Sequence, residues 1–185
     1  YNLLEHPNWA SWLEASITSI EWRVKVFPEG QFILKNWTEM LASLSTNLIK
    51  WDWNSNSLLT WDDVAGDPTT YENTYKPDWN TLVLMSMNVN KNHKWLRLTD
   101  YLVWATKDLA KSNPNIDYII WSFRPSGYWK YKMNKWYVDF EEYLGLKNED
   151  GYSIDPWIRS LQKKWMKSIK VDENAMRVEI TYDDF

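Results

Sequence analysis

The sequence has no cysteine, two histidines and only five glycines in 185 residues. The missing cysteine excludes a disulfide framework, a thiolate nucleophile and a zinc–thiolate site. It fits a reducing compartment, and a cytoplasmic protein is expected. No apolar run approaches the roughly 20 residues that a membrane-spanning helix needs, and no secretory leader is visible. A membrane partner is therefore not expected. The net charge of -4 supplies no basic field for nucleic acid. The lysines within 130–135 and 163–170 read as solvated faces. No internal repeat or low-complexity tract is evident.

What is present is enough for a core: 44% of the residues are hydrophobic and 25% charged. A single domain over residues 1–185 is the expectation. The chain begins at Tyr1 rather than Met, so a fragment lacking a first strand is one reading. Tryptophan is the odd component, with 15 residues against the five glycines. Glycine alone averages about 7% of residues in ordinary domains. Trp79 sits in a Pro77-Asp78-Trp79-Asn80 segment shaped like a turn that wants glycine. Trp51 and Trp53 lie in a polar loop, and Trp129 follows Ser126-Gly127-Tyr128. Trp165 stands where a helix-ending glycine is expected. Lysine outnumbers arginine, and asparagine, isoleucine and tyrosine are plentiful, as in an AT-rich genome. We read many of these tryptophans as glycine positions, arising if a codon read as glycine by the source (UGA is the candidate) was translated as tryptophan. Trp22, Trp61 and Trp157 sit in contexts that suit tryptophan. The alternative is a Trp-rich protein that uses indoles for packing or for stacking on sugars.

The chain is organised around residues 81–111. Its first half, 82–89, is apolar and reads as a buried strand. Leu98, Leu102, Ala105 and Leu109 then follow the spacing of one helix face. Thr99 and Asp100 supply acceptors and negative charge near the helix start. Between strand and helix lies a polar connection, 90–94. Such a strand–loop–helix presents the helix's unpaired N–H groups to whatever sits in the loop, which makes an anion site. Around it the pattern predicts a helix within 2–24, a hairpin of strands over 31–36 and 40–49, and a strand over 116–121. Short helices are predicted over 139–146 and 154–165, with Asp155 as cap and Pro156 in the first turn. The segment 66–72 suggests a further short helix, and 167–171 and 176–182 suggest final strands.

This layout resembles the GNAT superfamily of acyl-CoA N-acyltransferases, in a divergent branch with an Arg124-Pro125-Ser126-Gly127-Tyr128 segment and an Asp155-Pro156-Trp157-Ile158-Arg159 segment. The likeness spans roughly residues 20–180. It implies an α/β fold with a mixed central sheet flanked by helices. In the family a loop of pattern Q/R-x-x-G-x-G/A holds the pyrophosphate of coenzyme A through its backbone amides. The matching residues are Lys94, Trp95, Leu96, Arg97, Leu98 and Thr99, with Arg97 in the glycine position and Thr99 in that of the small residue. The resemblance also implies that the strand edge at Met87 and Val89 pairs with the pantetheine arm, much as an added strand would. Acetyl-CoA is the implied cosubstrate and a small amine the implied acceptor, in a monomer or homodimer.

Direct acyl transfer needs a deprotonated amine, a polarised thioester carbonyl and a proton for the departing thiolate. It needs no nucleophilic side chain. The resemblance makes Tyr128 and Tyr131 candidates for the general acid, against a packing role for each. Glu72 is a candidate base, with Asp139, Glu141 and Glu142 as alternatives. Arg124 and Ser126 are candidates for a phosphate or an acceptor carboxylate, against a structural turn. His93 reads as a solvated loop residue, and Asp155 with Arg159 as a helix pair. Asp62, Asp63 and Asp67 read as solvated loop carboxylates, because the spacing of a calcium loop is absent; no metal is expected. Two rival readings remain. One is a GNAT fold that binds coenzyme A or another ligand without transfer. The other is a carbohydrate-binding module, which a buried strand feeding a helix speaks against.

Overall fold

A computed structural model describes residues 15–135, 138–172 and 175. The chain forms two compact units, one built from 15–122 with 172 and 175, the other from Phe123–Val171.

In the first unit, Ser16 caps helix α1 (Ile17–Val26) by accepting from the Ser19 N–H. Strands β1 (Gln31–Lys35) and β2 (Met40–Ile49) make a hairpin. Its turn is held by Asn36, whose Oδ1 accepts from the N–H groups of Thr38 and Glu39. A five-residue helix, α2 (Trp61–Ala65), precedes a long run of turns. Strand β3 (Thr81–Val89), helix α3 (Leu98–Ser112) and strand β4 (Tyr118–Trp121) follow. The sheet order is β1-β2-β3-β4, antiparallel up to β3 and parallel between β3 and β4. Helix α3 is the crossover that the parallel pair requires.

Both faces of the sheet are covered. On one side Leu98 and Leu102 of α3 pack on Ala42, Leu44 and Leu84, with Phe32, Met87, Val89 and Ile119 around them. On the other, Val64, Ala65 and Tyr71 pack on Ile49, Trp51, Val83 and Met85. Each fully buried leucine contributes about 2 kcal/mol by its transfer from water. Polar residues within β2 tie the turns of 66–80 to the sheet. Asn47 donates to Val64 O at 2.8 Å and to Thr74 Oγ1 at 2.9 Å, and Ser45 Oγ shares a hydrogen bond with the Tyr71 hydroxyl at 2.8 Å. Among the described residues no helix is long and apolar enough to cross a membrane.

The short helix predicted over 66–72 forms instead at 61–65, because Thr60 and Asp63 make a reciprocal capping box there. Thr60→Ala should cost about 1 kcal/mol, read as a lower urea midpoint with unchanged slope. Residues 167–171 form no strand. The strand predicted over 176–182 and most of the helix predicted within 2–24 lie outside the described residues.

The second unit carries three short helices, α4 (Tyr128–Asn134), α5 (Phe140–Gly145) and α6 (Pro156–Gln162), and an isolated bridge between Lys147 and Ser153. Helix α4 is absent from the sequence prediction. Asp155 organises the unit. Its Oδ1 accepts from the N–H groups of Trp157 and Ile158, and its Oδ2 from the Gly127 N–H at 2.7 Å and the Tyr143 hydroxyl at 2.9 Å. A side chain at position 127 would collide with that hydroxyl, so the close approach requires glycine.

Candidate functional site

The site is built where β3 outruns β4. The parallel ladder ends at Leu84↔Trp121, and β3 continues from Met85 to Val89. At the same point the pairing with β2 slips from Thr46↔Leu84 to Ser45↔Ser86, which leaves Met85 as the extra residue of a bulge. A bulge bends its strand and re-aims the groups beyond it. The Met85 carbonyl accepts from the Trp61 indole N–H at 2.9 Å, which fixes the bulge to α2.

Beyond Val89 the chain turns through Asn90 into a tight helical turn, Lys91–Leu96, and from there into α3. Asn90 Oδ1 accepts from the Asn92 N–H at 3.0 Å, while its amide donates to Glu39 Oε1 at 2.7 Å. His93 Nε2 lies 2.8 Å from Glu39 Oε2. The turn is thus pinned to the β1–β2 hairpin by a carboxylate that reads two of its residues. The buried Nδ1 of His93 has no hydrogen-bond partner. His93 is therefore half-buried and held, not the solvated loop residue that its position suggests.

Arg97 stands between this turn and α3 in the left-handed conformation, at φ 51° and ψ 38°. That is the conformation glycine adopts most easily, and it falls at the position matched to the glycine of the loop pattern. Arg97 reaches Asp100 at 2.6 Å, while most of its side chain faces solvent. The pair offsets the negative charge that Asp100 brings to the helix start, where an anion would otherwise meet a carboxylate.

The structure brings Met87, Val89, Lys94, Trp95, Leu96, Arg97, Leu98 and Thr99 together along one strand edge, one turn and one helix start. Their side chains differ in what they can offer. Leu98 is buried in the core against Leu84 and Leu102, so only its backbone is available. Met87 and Val89 pack toward the same cluster, leaving the strand backbone as the edge. Trp95 and Leu96 are exposed, and the Trp95 ring lies 6.0 Å from that of His93.

Glu72 lies on the turns covering the opposite face, exposed, with its carboxylate accepting from Thr70 Oγ1 at 3.1 Å. Its neighbour Tyr71 is the buried residue there. Tyr71 adopts φ 69°, and the Arg23 guanidinium sits over its ring at 4.8 Å. Arg23 itself is buried and donates to Thr69 O at 2.8 Å. Neither residue stood out in the sequence. The signal that existed was the run of serine, threonine and asparagine inside the otherwise apolar 40–49 strand, which demands polar partners.

In the second unit the Tyr128 hydroxyl donates to Val138 O at 3.2 Å, with its ring against Phe140 and Tyr143. The Tyr131 ring packs on Tyr143 at 5.2 Å. Ser126 Oγ reaches Asp155 Oδ1 at 3.5 Å, and Arg124 is exposed. Asp155 and Arg159 do not form the expected helix pair. Asp155 is the cap, and Arg159 donates to the carbonyls of Ser153 and Ile154 at 3.2 Å each. Burial would raise the Asp155 carboxyl, but the N–H groups of Ile158, Gly127 and Trp157 and the Tyr143 hydroxyl together hold it below the ordinary carboxylate range. Burial, and then the bond to Asp155, push the Tyr143 hydroxyl up to about 12.

A four-stranded mixed sheet with a helix crossing between its last two strands, a bulge where those strands part, and a turn delivering the chain into that helix define a GNAT-like fold. Solved structures share it, two of them as follows. The loading GNATL domain of CurA from Lyngbya majuscula superposes with a TM-score of 0.71 at 19% identity, over 88% of this chain and 76% of that one. The GNAT-like decarboxylase GphF, in complex with isobutyryl-CoA, superposes with a TM-score of 0.60 at 21% identity, over 83% and 73% of the two chains. No family model matches the sequence, and no curated protein does.

Proposed function

We propose that this protein uses an acyl-CoA and transfers its acyl group, with acetyl transfer from acetyl-CoA to a small amine as the reaction. The observation that carries the reading is the continuation of β3 past its last pair with β4, ending in a turn that opens on the start of α3. An extended pantetheine arm lies along such an edge as an added strand, and the pyrophosphate meets the backbone N–H groups at the helix start, which no side chain caps. Arg97 supplies a cation beside them. The amine nitrogen attacks the thioester carbonyl carbon, the carbon–sulfur bond breaks, and the coenzyme leaves as a thiolate that takes up a proton. Tyr128 and Tyr131 are the proposed proton donors, Glu72 the proposed base, and Arg124 with Ser126 the proposed contacts to the acceptor.

A second reading, an acyl-CoA protein that does not acylate amines, is favoured by two details. The Tyr128 hydroxyl spends its proton on Val138 O. GphF, moreover, is a decarboxylase.

A thermal melt with and without acetyl-CoA tests the common part. A ligand at about 100 times its dissociation constant adds roughly 2.7 kcal/mol, a rise of several degrees for a chain of this size. No rise with acetyl-CoA or isobutyryl-CoA, for this chain and for Trp95→Gly alike, would end both readings. A rise followed by amine-dependent release of free thiol selects transfer. A rise without such release selects the second reading.

A further inference from the structure

We infer that residues 53 and 165 are glycine in the protein its own cells make, and that the exposed tryptophans at 37, 95 and 129 share that origin. Among the described residues, backbone conformation separates the first two from the other tryptophans. Trp53 lies at φ 67° and Trp165 at φ 69°, in the left-handed region that a bulky side chain rarely adopts. Trp165 also completes a helix-ending motif. The Trp165 N–H donates to Gln162 O at 3.0 Å, and the Met166 N–H reaches back to Leu161 O at 3.2 Å. That pair of bonds, with a left-handed residue just past the helix, is the arrangement in which glycine is the usual residue. The Trp165 side chain is 91% exposed, so no packing recompenses the backbone.

Exposure is the second, independent criterion. Trp37 is fully exposed in the turn after Asn36, and Trp95 and Trp129 are both more than 60% exposed. Indoles are costly to leave in water, and the described residues include five such positions in turns or at element ends. The tryptophans that suit their sequence context behave differently. Trp61 is partly buried and donates its indole N–H to Met85 O, and Trp157 packs edge-on against Phe123. Trp51 and Trp79 meet neither criterion, since both pack against the core. Trp61 and Trp157 are placed as tryptophan, and Trp53 and Trp165 stand where the backbone favours glycine, which is what two codons with two meanings would leave. The consequence for the site is local. Residue 95 lies in the turn ahead of Arg97, and glycine there removes an exposed ring from the approach to the start of α3. The inference stands whether or not the protein binds an acyl-CoA.

The codons decide first. Positions 37, 53, 95, 129 and 165 should be UGA, and positions 61 and 157 UGG. UGG at 53 and 165, or UGA at all seven alike, would overturn the inference. Peptide mass spectrometry of the protein from the cells that carry the gene comes second. Peptides spanning 53 and 165 should be lighter by the difference between an indolylmethyl group and a hydrogen, while the peptide spanning 61 keeps the tryptophan mass. Full tryptophan mass at 53 and 165 would overturn it. In recombinant protein, Trp165→Gly should raise the melting temperature, whereas Trp61→Gly should lower it. A fall with Trp165→Gly would count against the assignment.

Discussion

Asp155→Ala should unfold the 123–171 unit at markedly lower denaturant, by roughly 3–5 kcal/mol. The substitution removes a helix cap, worth about 1 kcal/mol, leaves the buried Tyr143 hydroxyl without its acceptor, at about 1–3 kcal/mol, and takes the acceptor from the half-buried Gly127 N–H, at about 1 kcal/mol. Asp155 is fully buried, so water cannot readily replace the lost oxygens. Asp155→Asn keeps one acceptor oxygen and should cost about half as much. Urea unfolding followed by circular dichroism measures both, and a loss below about 1 kcal/mol for the alanine variant would refute the role. The pH dependence has a fixed sign. The folded carboxyl titrates below its unfolded value of about 3.9. Its stabilisation is therefore fully present above that value and is lost as pH falls through the lower folded one. Tyr143 acts at the other end. Its folded value of about 12 lies above the ordinary value of 10, so its share is complete below pH 10 and is lost as pH rises toward 12. In the Asp155→Asn variant the acid limb should flatten.

Leu102→Ala should destabilise the first unit by about 3 kcal/mol, within the 2–5 kcal/mol range for buried leucines. Leu102 is fully buried with Leu84 and Leu98, one turn into α3, where it fixes the helix start against the sheet. The neighbouring positions supply the control. Tyr101 and Trp104 are more than half exposed, and alanine at either should change stability by no more than about 0.5 kcal/mol. Equal losses at 102 and 104 would mean that the helix presents a different face to the sheet. Thermal and urea unfolding of the three variants reads this directly.

Much of this arrangement is legible in the sequence. The strand–turn–helix of 81–112 is, because an apolar run followed by leucines at helical spacing leaves few alternatives. So is the start of α6, where Asp155 and Pro156 carry local cap chemistry. The residues that give the site its form are less legible. Tyr71 and Arg23 meet across long stretches of chain and belong to no local pattern. The role of Tyr128 turns on a carbonyl ten residues away. Glu39 and His93 find each other across 54 positions, and neither segment advertises the other. At the loop, Arg97 stands in the left-handed conformation that glycine fills more easily, which no pattern of residue types announces.

The bulge at Met85 has one more consequence. Strict alternation would send Leu82, Leu84, Ser86 and Asn88 to one face and Val83, Met85, Met87 and Val89 to the other. Instead Leu82 and Leu84 share the helix side with Met87 and Val89, while Ser86 and Asn88 lie opposite Ser45 and Ser43. The strand is two half-strands spliced out of phase. The splice keeps a greasy lining under α3 along its whole length. It also lets the reverse side change from oil to alcohol and amide within a single residue.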